Sequence, residues 1–74
     1  MTTVTETFVF PNSSNLEEAT YDPSVENLTI VFNDGAIYVY YNVPNAVYRG
    51  LCAAGSAGKY FHRSIKNRYA YDQQ

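Results

Sequence analysis

Residues 28–41, LTIVFNDGAIYVYY, decide the fold of this 74-residue chain. Two runs rich in β-branched and aromatic residues flank Asn33-Asp34-Gly35. Asp-Gly between such runs is a strong signal for a tight hairpin, because a type I′ turn needs positive φ at both central residues. The stretch therefore predicts a β-hairpin with strands from Asn27 to Phe32 and from Ala36 to Tyr41.

The length of the hairpin loop decides which side chains share a face of the sheet. A two-residue Asp34-Gly35 loop pairs Phe32 with Ile37 and places Tyr38 and Tyr40 on the face opposite to both. A three-residue loop shifts the pairing by one residue and moves both tyrosines onto the face of Phe32. We expect the two-residue loop, which makes both faces apolar and leaves one to be covered by the N-terminal strand, a second subunit or a ligand.

Two further strands are predicted before the hairpin. Residues 1–10 alternate loosely and carry four Thr, two Val and two Phe, which indicates a strand at a sheet edge or one exchanged with a neighbouring subunit. Residues 15–21 form the next strand, and Asp22-Pro23-Ser24 is a turn with Pro23 suited to its second position.

Two helices are predicted after the hairpin. Pro44 sits near the first helical position, where its missing N–H costs nothing, and Gly55 ends this helix. Ser56 caps a second helix that runs to about Tyr69, and the remaining residues 70–74 form a tail. The predicted fold is an α+β domain: an antiparallel meander of three or four strands followed by two C-terminal helices packed on one face.

Length and composition indicate a single small domain that gains stability from self-association. Eight Tyr and four Phe supply apolar area with polar tips, which suits both a small core and an interface. A chain this short buries too little surface to be more than marginally stable alone. With two apolar sheet faces expected, a homo-oligomer is the predicted state.

Targeting and redox features point to the cytoplasm. Cys52 is the only cysteine, so no intrachain disulfide can form, and it lies in an apolar helix, as an inert buried thiol would. The N-terminus has no basic region followed by an apolar stretch, and no apolar run approaches the roughly 18 residues of a membrane span. We expect a cytoplasmic protein without a membrane partner.

Charge is divided along the chain. Residues 1–48 contain six of the seven acidic residues, whereas all five Lys and Arg residues and His62 lie in residues 49–68. One interpretation is a set of basic helices beside an acidic sheet, or acidic and basic faces of two protomers in contact. The other is an anion site on the helical side. The net charge of −2 argues against a strongly basic nucleic-acid binder.

The segment Gly55–Lys59, GSAGK, is the best candidate for an anion site. Backbone N–H groups at a helix start, two glycines, the Ser56 hydroxyl and the Lys59 ammonium can together hold a phosphate. The spacing is not that of a Walker motif, and no strand directly precedes it. The structural alternative is a tight turn between helices, in which Ser56 caps and Gly58 permits packing.

Tyr38 and Tyr40 are the second candidate, because alternate tyrosines on a strand can stack nucleic-acid bases. Their structural alternative is a role in the core or in a subunit interface. On the second helix, Phe61, Ile65 and Tyr69 recur every four residues and form a buried apolar stripe. Lys59, Arg63 and Lys66 cluster on the opposite face, and Arg68 lies at the edge of the stripe, where its head can reach a partner. The predicted ligand-binding residues are Tyr38, Tyr40, Ser56, Gly58, Lys59, Arg63 and Arg68.

Catalysis and metal binding find little support in the sequence. One Cys and one His cannot make a structural zinc site, and the acidic residues lack an EF-hand pattern. Cys52 and His62 are the only Cys/His pair, and no carboxylates are spaced for acid–base work. We expect no catalytic residues, no cofactor and no metal.

A series of landmarks runs through residues 14–71 in a fixed order. They are Ser13-Ser14, Tyr21-Asp22, Leu28 through Phe32, Gly35, Tyr38-Val39-Tyr40, Val43-Pro44, Tyr48, Leu51, Ala54, Ser56, Gly58, Tyr60-Phe61, Ile65 and Tyr69. This order, centred on Tyr-x-Tyr, resembles the KTSC domain, a module named from the C-terminal extension of some lysyl-tRNA synthetases. The resemblance implies a domain at 13–71. Residues 1–12 are additional to the module, an N-terminal extension that can supply an extra strand, and residues 72–74 form a tail.

The resemblance and the residues together define three hypotheses. The first is a non-enzymatic module for a phosphate-bearing ligand, such as a nucleotide signal sequestered at a homo-oligomer interface. The resemblance to free-standing KTSC copies places such a module among bacterial and phage accessory proteins. The second is an RNA-binding module, implied by the synthetase context. The third is a protein-interaction module whose interface is the tyrosine face.

Overall fold

A computed structural model of the chain describes residues 5–74, which fold into a five-stranded sheet and two helices. The elements are β1 (Glu6–Val9), β2 (Leu16–Asp22), β3 (Asn27–Phe32), β4 (Ile37–Tyr40), α1 (Asn45–Ala53), α2 (Ala57–Ser64) and β5 (Tyr71–Gln73). The strands pair antiparallel in the order β1-β2-β3-β4-β5. The predicted α+β class is confirmed, with five strands where three or four were expected.

The register of the β3–β4 hairpin corrects the prediction of a two-residue loop. Val31 lies opposite Ile37, and the Phe32 N–H donates a 2.9 Å hydrogen bond to the Ala36 carbonyl oxygen. The loop therefore contains three residues, 33–35. Phe32 pairs with Ala36 and not with Ile37, so the alternative register is the one that forms.

The side chain of Asp34 explains why the loop is longer. Its Oδ1 accepts a 3.0 Å hydrogen bond from the Ala36 N–H, a local turn that competes with a type I′ hairpin. Only Gly35 in the loop has positive φ, at 93°, whereas a type I′ turn needs positive φ at two residues. A single left-handed glycine at the end of a three-residue loop is the next most common way to close a hairpin.

The three-residue loop brings the tyrosines of β4 to the helix-covered face of the sheet. Tyr40 lies opposite the buried Leu28, and Tyr38 lies opposite the buried Ile30. The other face carries a cross-strand row of Thr7, Thr20, Thr29, Val39 and Asp72. That face mixes polar and aliphatic side chains, so the expectation of two apolar faces is wrong, and with it the sheet-based argument for a homo-oligomer.

The N-terminal strand and the first helix form largely where they are predicted. Glu6–Val9 pairs with β2 along the edge of the sheet; residues 1–4 of the predicted strand lie outside the described residues. Pro44 has extended backbone (φ −63°, ψ 150°) directly before α1, as its fixed φ favours. Gly55 follows the C-cap residue of this helix without a positive φ.

The second helix ends five residues earlier than predicted, at Ser64. The N–H groups of Ile65 and Lys66 both donate to the Phe61 carbonyl oxygen, at 3.0 and 2.8 Å, and close the last turn. Asn67 then takes a positive φ of 68°, which reverses the chain towards the sheet. As a result residues 71–73, expected to be a tail, form strand β5 beside β4.

The core lies between the inner face of the sheet and the two helices. Tyr21 from β2 stacks on Tyr48 from α1, with ring centroids 4.9 Å apart. A Cβ at Gly50 on α1 would overlap the hydroxyl of Tyr60 on α2, so the glycine leaves room for the end of this side chain against α1. The buried core residues are Phe10, Leu16, Ala19, Tyr21, Leu28, Ile30, Tyr40, Val43, Tyr48, Leu51, Ala57, Phe61 and Ile65.

Candidate functional site

A cleft of about 260 Å³ opens where the end of the β3–β4 hairpin and strand β5 face helix α2. It is termed the aromatic cleft because five of its lining residues are Phe or Tyr. The lining residues are Asn15, Phe32, Asp34, Ala36, Tyr38, Tyr40, Phe61, His62, Lys66, Asn67 and Tyr71.

The floor of the aromatic cleft is a packed set of rings. Phe61 from α2 meets Phe32 and Tyr40 edge-on, with centroids 5.4 and 5.5 Å away. Tyr38 packs edge-on against Phe32 at 5.5 Å. Edge-to-face pairs at this distance are favourable beyond the area that they bury, so the floor is a fixed surface.

Two of the tyrosines that line the cleft present accessible ring surface. Tyr38 is partly buried, and Tyr71 is 52% exposed with its ring centroid 5.6 Å from that of Tyr38. Tyr40 is only 3% exposed, and burial, followed by the neighbouring Tyr71 and Tyr38, raises its pKa to about 12. Tyr40 is therefore a neutral part of the floor, whereas Tyr38 and Tyr71 are accessible to a planar ligand.

An open groove runs along the start of α2 beside the aromatic cleft, and is termed the basic groove. Its lining residues are Ser14, Asn15, Ser56, Gly58, Lys59, His62 and Arg63. Asn15 and His62 line both the groove and the cleft. The two depressions are thus adjacent and meet at these two residues, with the rings in the cleft and Lys59 and Arg63 in the groove.

Ser56 caps α2, as the structural alternative for GSAGK predicts. The Lys59 N–H points to the Ser56 Oγ at 3.4 Å, and Ser56 has extended backbone. A Cβ at Gly58 would lie 3.8 Å from the Cβ of Asn15, an ordinary contact, so packing does not require a glycine there. The role of these residues in holding a phosphate stays a prediction.

The structure separates the basic residues that the sequence analysis groups together. Lys59 and Arg63 line the basic groove, whereas Lys66 lines the aromatic cleft. Arg68 lines neither; its Nε donates a 3.0 Å hydrogen bond to the Arg63 carbonyl oxygen at the end of α2. Six of the seven predicted residues therefore line one or other of the two adjacent depressions, and Arg68 does not.

Sequence reasoning missed Asn15, His62, Lys66 and Tyr71 as lining residues. His62 and Lys66 are four residues apart, a spacing that is a usable signal for a shared helix face. Tyr71 offered no such signal, because its position depends on the chain reversal at Asn67 and on pairing with β4.

Cys52 lines a separate depression of about 280 Å³, together with Phe8, Phe10 and Ser56. Cys52 is half-buried next to Tyr48, and burial raises the pKa of its thiol, which disfavours the reactive thiolate. Within residues 5–74, no three His, Cys, Asp or Glu side chains converge in a way that could hold a metal ion. Neither helix in this range has the length and apolar character needed to cross a membrane.

Fold and surface together define a small α+β domain with an aromatic cleft beside its second helix. The chain belongs to the KTSC domain family, whose family model matches residues 12–69. The resemblance noted in the sequence is confirmed. The matched range ends before β5, so Tyr71 follows it.

The relatives include a small protein and parts of a much larger enzyme. A protein from Tsukamurella paurometabola is 42% identical over 57 residues, which cover 77% of this chain and 85% of that protein. A lysine–tRNA ligase from Nostoc sp. is 40% identical over 63 residues, 85% of this chain. The chain spans only 11% of the length of the ligase.

A solved structure supports the fold over nearly the whole chain. The KTSC domain protein from Yersinia pestis superposes with a TM-score of 0.86 at 26% sequence identity. The superposition covers 96% of this chain and 99% of that one.

Proposed function

We propose that this chain is a non-catalytic binding module for a phosphate-bearing ligand, with a nucleotide as the ligand that fits best. The observation that carries the proposal is that the aromatic cleft and the basic groove adjoin each other and share Asn15 and His62 as lining residues. A nucleotide has the same two-part character, a flat ring system joined to an anionic group. Such a module holds a nucleotide signal without converting it, a role suited to a bacterial or phage accessory protein.

The aromatic cleft supplies the contact for the base. Its volume of about 260 Å³ is just below the usual range for ligand sites, which favours one ring system over a longer chain. Tyr38 and Tyr71 offer ring faces, and stacking of a base on an aromatic side chain tolerates any base. Asn15, Asp34 and Asn67 place polar side chains at the rim, where they can meet the edge of the base.

The basic groove supplies the contact for the phosphate. Lys59 and Arg63 are exposed along it, and the guanidinium of Arg63 can bind phosphate oxygens in pairs. The groove begins at the N-terminal end of α2, beside Ser56 and Gly58, where the helix dipole adds positive potential, and extends along the helix to Arg63 in its last turn. With a net charge of −2 over the chain, this local cluster suits a compact anion better than a long one.

RNA binding is the second candidate, and the similarity to lysine–tRNA ligases favours it. The same rings and cations can hold one or two nucleotides of a single strand. The two candidates differ in salt dependence, because an RNA affinity decreases with salt in proportion to the number of phosphates neutralised.

Binding measurements on the full chain test the proposal. Isothermal titration or a thermal-shift assay with cyclic and linear nucleotides, and with a short single-stranded RNA, is carried out at low and moderate salt. We expect binding of a nucleotide that persists at moderate salt, and a weaker response to RNA. A ligand present at about 100 times its Kd stabilises the folded state by about 2.7 kcal/mol, a clear shift for a domain of this size.

Paired charge variants locate the binding. Lys59→Gln and Arg63→Gln remove cations from the basic groove and should weaken binding, whereas Arg49→Gln is the matched control. Arg49 lies on α1, where its Nε donates to the Oδ1 of Asn45 at 2.8 Å, away from both depressions. An equal loss in all three variants would indicate a general charge effect. No response to any nucleotide or RNA would favour the protein-interaction hypothesis, with self-association as its first test.

A further inference from the structure

We infer that Tyr71 contacts the ring of the bound ligand, so that the C-terminal strand β5 completes the binding site. The inference rests on the proposed function and adds to it a residue outside the predicted set and outside the range matched by the family. It identifies the ligand as a nucleoside phosphate whose base lies against Tyr71 and Tyr38.

The position of Tyr71 makes it the outer wall of the aromatic cleft. It lies opposite Tyr40 in the β4–β5 register, and its ring centroid is 5.4 Å from that of Tyr40 and 5.6 Å from that of Tyr38. One side of the ring is thus packed on the floor, while 52% of the residue remains exposed. An aromatic ring held in place from one side and open on the other is a stacking platform.

The chemistry around Tyr71 selects a ligand with both a ring and an anionic group. His62 and Lys66 from α2 line the same cleft, and the basic groove with Lys59 and Arg63 adjoins it at His62. An uncharged aromatic ligand would leave these cations unused, and a phosphate alone would leave the rings unused. A nucleoside monophosphate engages both ends within one small ligand.

Strand β5 is held to the sheet by few contacts, so ligand binding to Tyr71 should stabilise its pairing with β4. β5 is three exposed residues long, and its backbone contacts include Tyr41 N–H to the Ala70 carbonyl at 2.9 Å and Gln74 N–H to the Ile37 carbonyl at 2.7 Å. The Tyr41 hydroxyl adds a 2.8 Å hydrogen bond to the Oδ2 of Asp72. So short an exposed strand has low local stability, and a ligand that stacks on Tyr71 stabilises its paired state.

The test compares wild type with Tyr71→Ala and Tyr71→Phe in titrations with AMP, GMP, CMP and UMP, the matching nucleosides and inorganic phosphate. Tyr71→Ala should weaken monophosphate binding at least about fivefold, the lower end of base–aromatic stacking, and leave inorganic phosphate binding unchanged. Tyr71→Phe should retain monophosphate affinity, because it keeps the ring.

Hydrogen exchange of the wild-type chain, with and without monophosphate, is a second measurement. A purely structural role of Tyr71 would not make the amide exchange rates near β5 depend on the ligand. A bound monophosphate should slow exchange of the amides of Tyr41 and Gln74, whose hydrogen bonds to the carbonyl oxygens of Ala70 and Ile37 hold β5 against β4. Monophosphate binding with equal affinity in Tyr71→Ala, or with no change at these amides, overturns the inference and leaves the proposed function standing. Absence of monophosphate binding to the wild type overturns the inference, while binding of another nucleotide would still support the proposed function.

Discussion

The hydroxyl of Tyr21 on β2 donates a hydrogen bond to the backbone carbonyl oxygen of Val43, 2.6 Å away, just before the first helix begins. Both residues are buried. The bond joins the middle of the sheet to the segment that leads from β4 into α1, and so fixes where the helical layer starts. Because the acceptor is shielded from water, a water molecule does not replace this hydrogen bond when it is lost.

Replacing Tyr21 with phenylalanine should therefore lower the stability of the chain. Tyr21→Phe keeps the ring that stacks on Tyr48 but leaves the Val43 carbonyl oxygen without this donor. We expect a loss of about 1–2 kcal/mol in the free energy of unfolding, measured by urea denaturation. Tyr41→Phe is the matched control, because its hydroxyl bond to Asp72 is exposed and should contribute less. Equal losses in the two variants would contradict the role assigned to the buried bond.

Replacing Gly35 with alanine should strain the hairpin. Gly35 has a φ of 93°, which L-residues rarely adopt, and nothing lies within 4 Å of a Cβ added there. The cost is therefore conformational, about 1–2 kcal/mol in unfolding free energy. Gly55→Ala is the control, since Gly55 also has open space but no positive φ.

A two-residue loop would need positive φ at Asp34 too, so Asp34→Gly should not stabilise the chain as it would in a type I′ turn.

The buried tyrosines should make the fold sensitive to alkaline pH. Burial raises the pKa of Tyr40 to about 12, whereas an unfolded tyrosine ionises near pH 10. Above that pH the unfolded state holds fewer protons than the folded state, so stability is intact below about pH 10 and decreases as pH rises towards 12. Urea midpoints measured across this window should decrease less steeply for Tyr40→Phe than for wild type. Burial also raises the pKa of Tyr21 and Tyr48, so the dependence is reduced and not abolished.

The elements that were predicted correctly have local causes. Pro44 suits the start of a helix and Ser56 caps the next one, and each acts through its immediate neighbours. Of the predicted apolar stripe of the second helix, Phe61 and Ile65 are buried, whereas Tyr69 lies beyond the end of α2 and is partly buried. Such features depend on a few adjacent residues, which a sequence displays directly.

The features that were missed depend on competition or on long-range pairing. The Asp34 side chain competes for the Ala36 N–H, and this one hydrogen bond shifts the register that sets the face of Tyr38 and Tyr40. Strand β5 forms because the chain reverses at Asn67 and finds the free edge of β4, which no local pattern around Tyr71 indicates. The sequence therefore predicted aromatic and basic side chains for the candidate site, but not the face on which Tyr38 and Tyr40 lie or the contribution of Tyr71.

The location of β5 also has a practical consequence for handling the protein. Tyr71 is three residues from Gln74, so anything joined after Gln74 begins within about 10 Å of the stacking surface. A purification tag, fluorophore or surface tether at this end would crowd the cleft and compete with a small ligand. Strand β1 lies at the opposite edge of the sheet, and attachment on that side leaves the rings accessible.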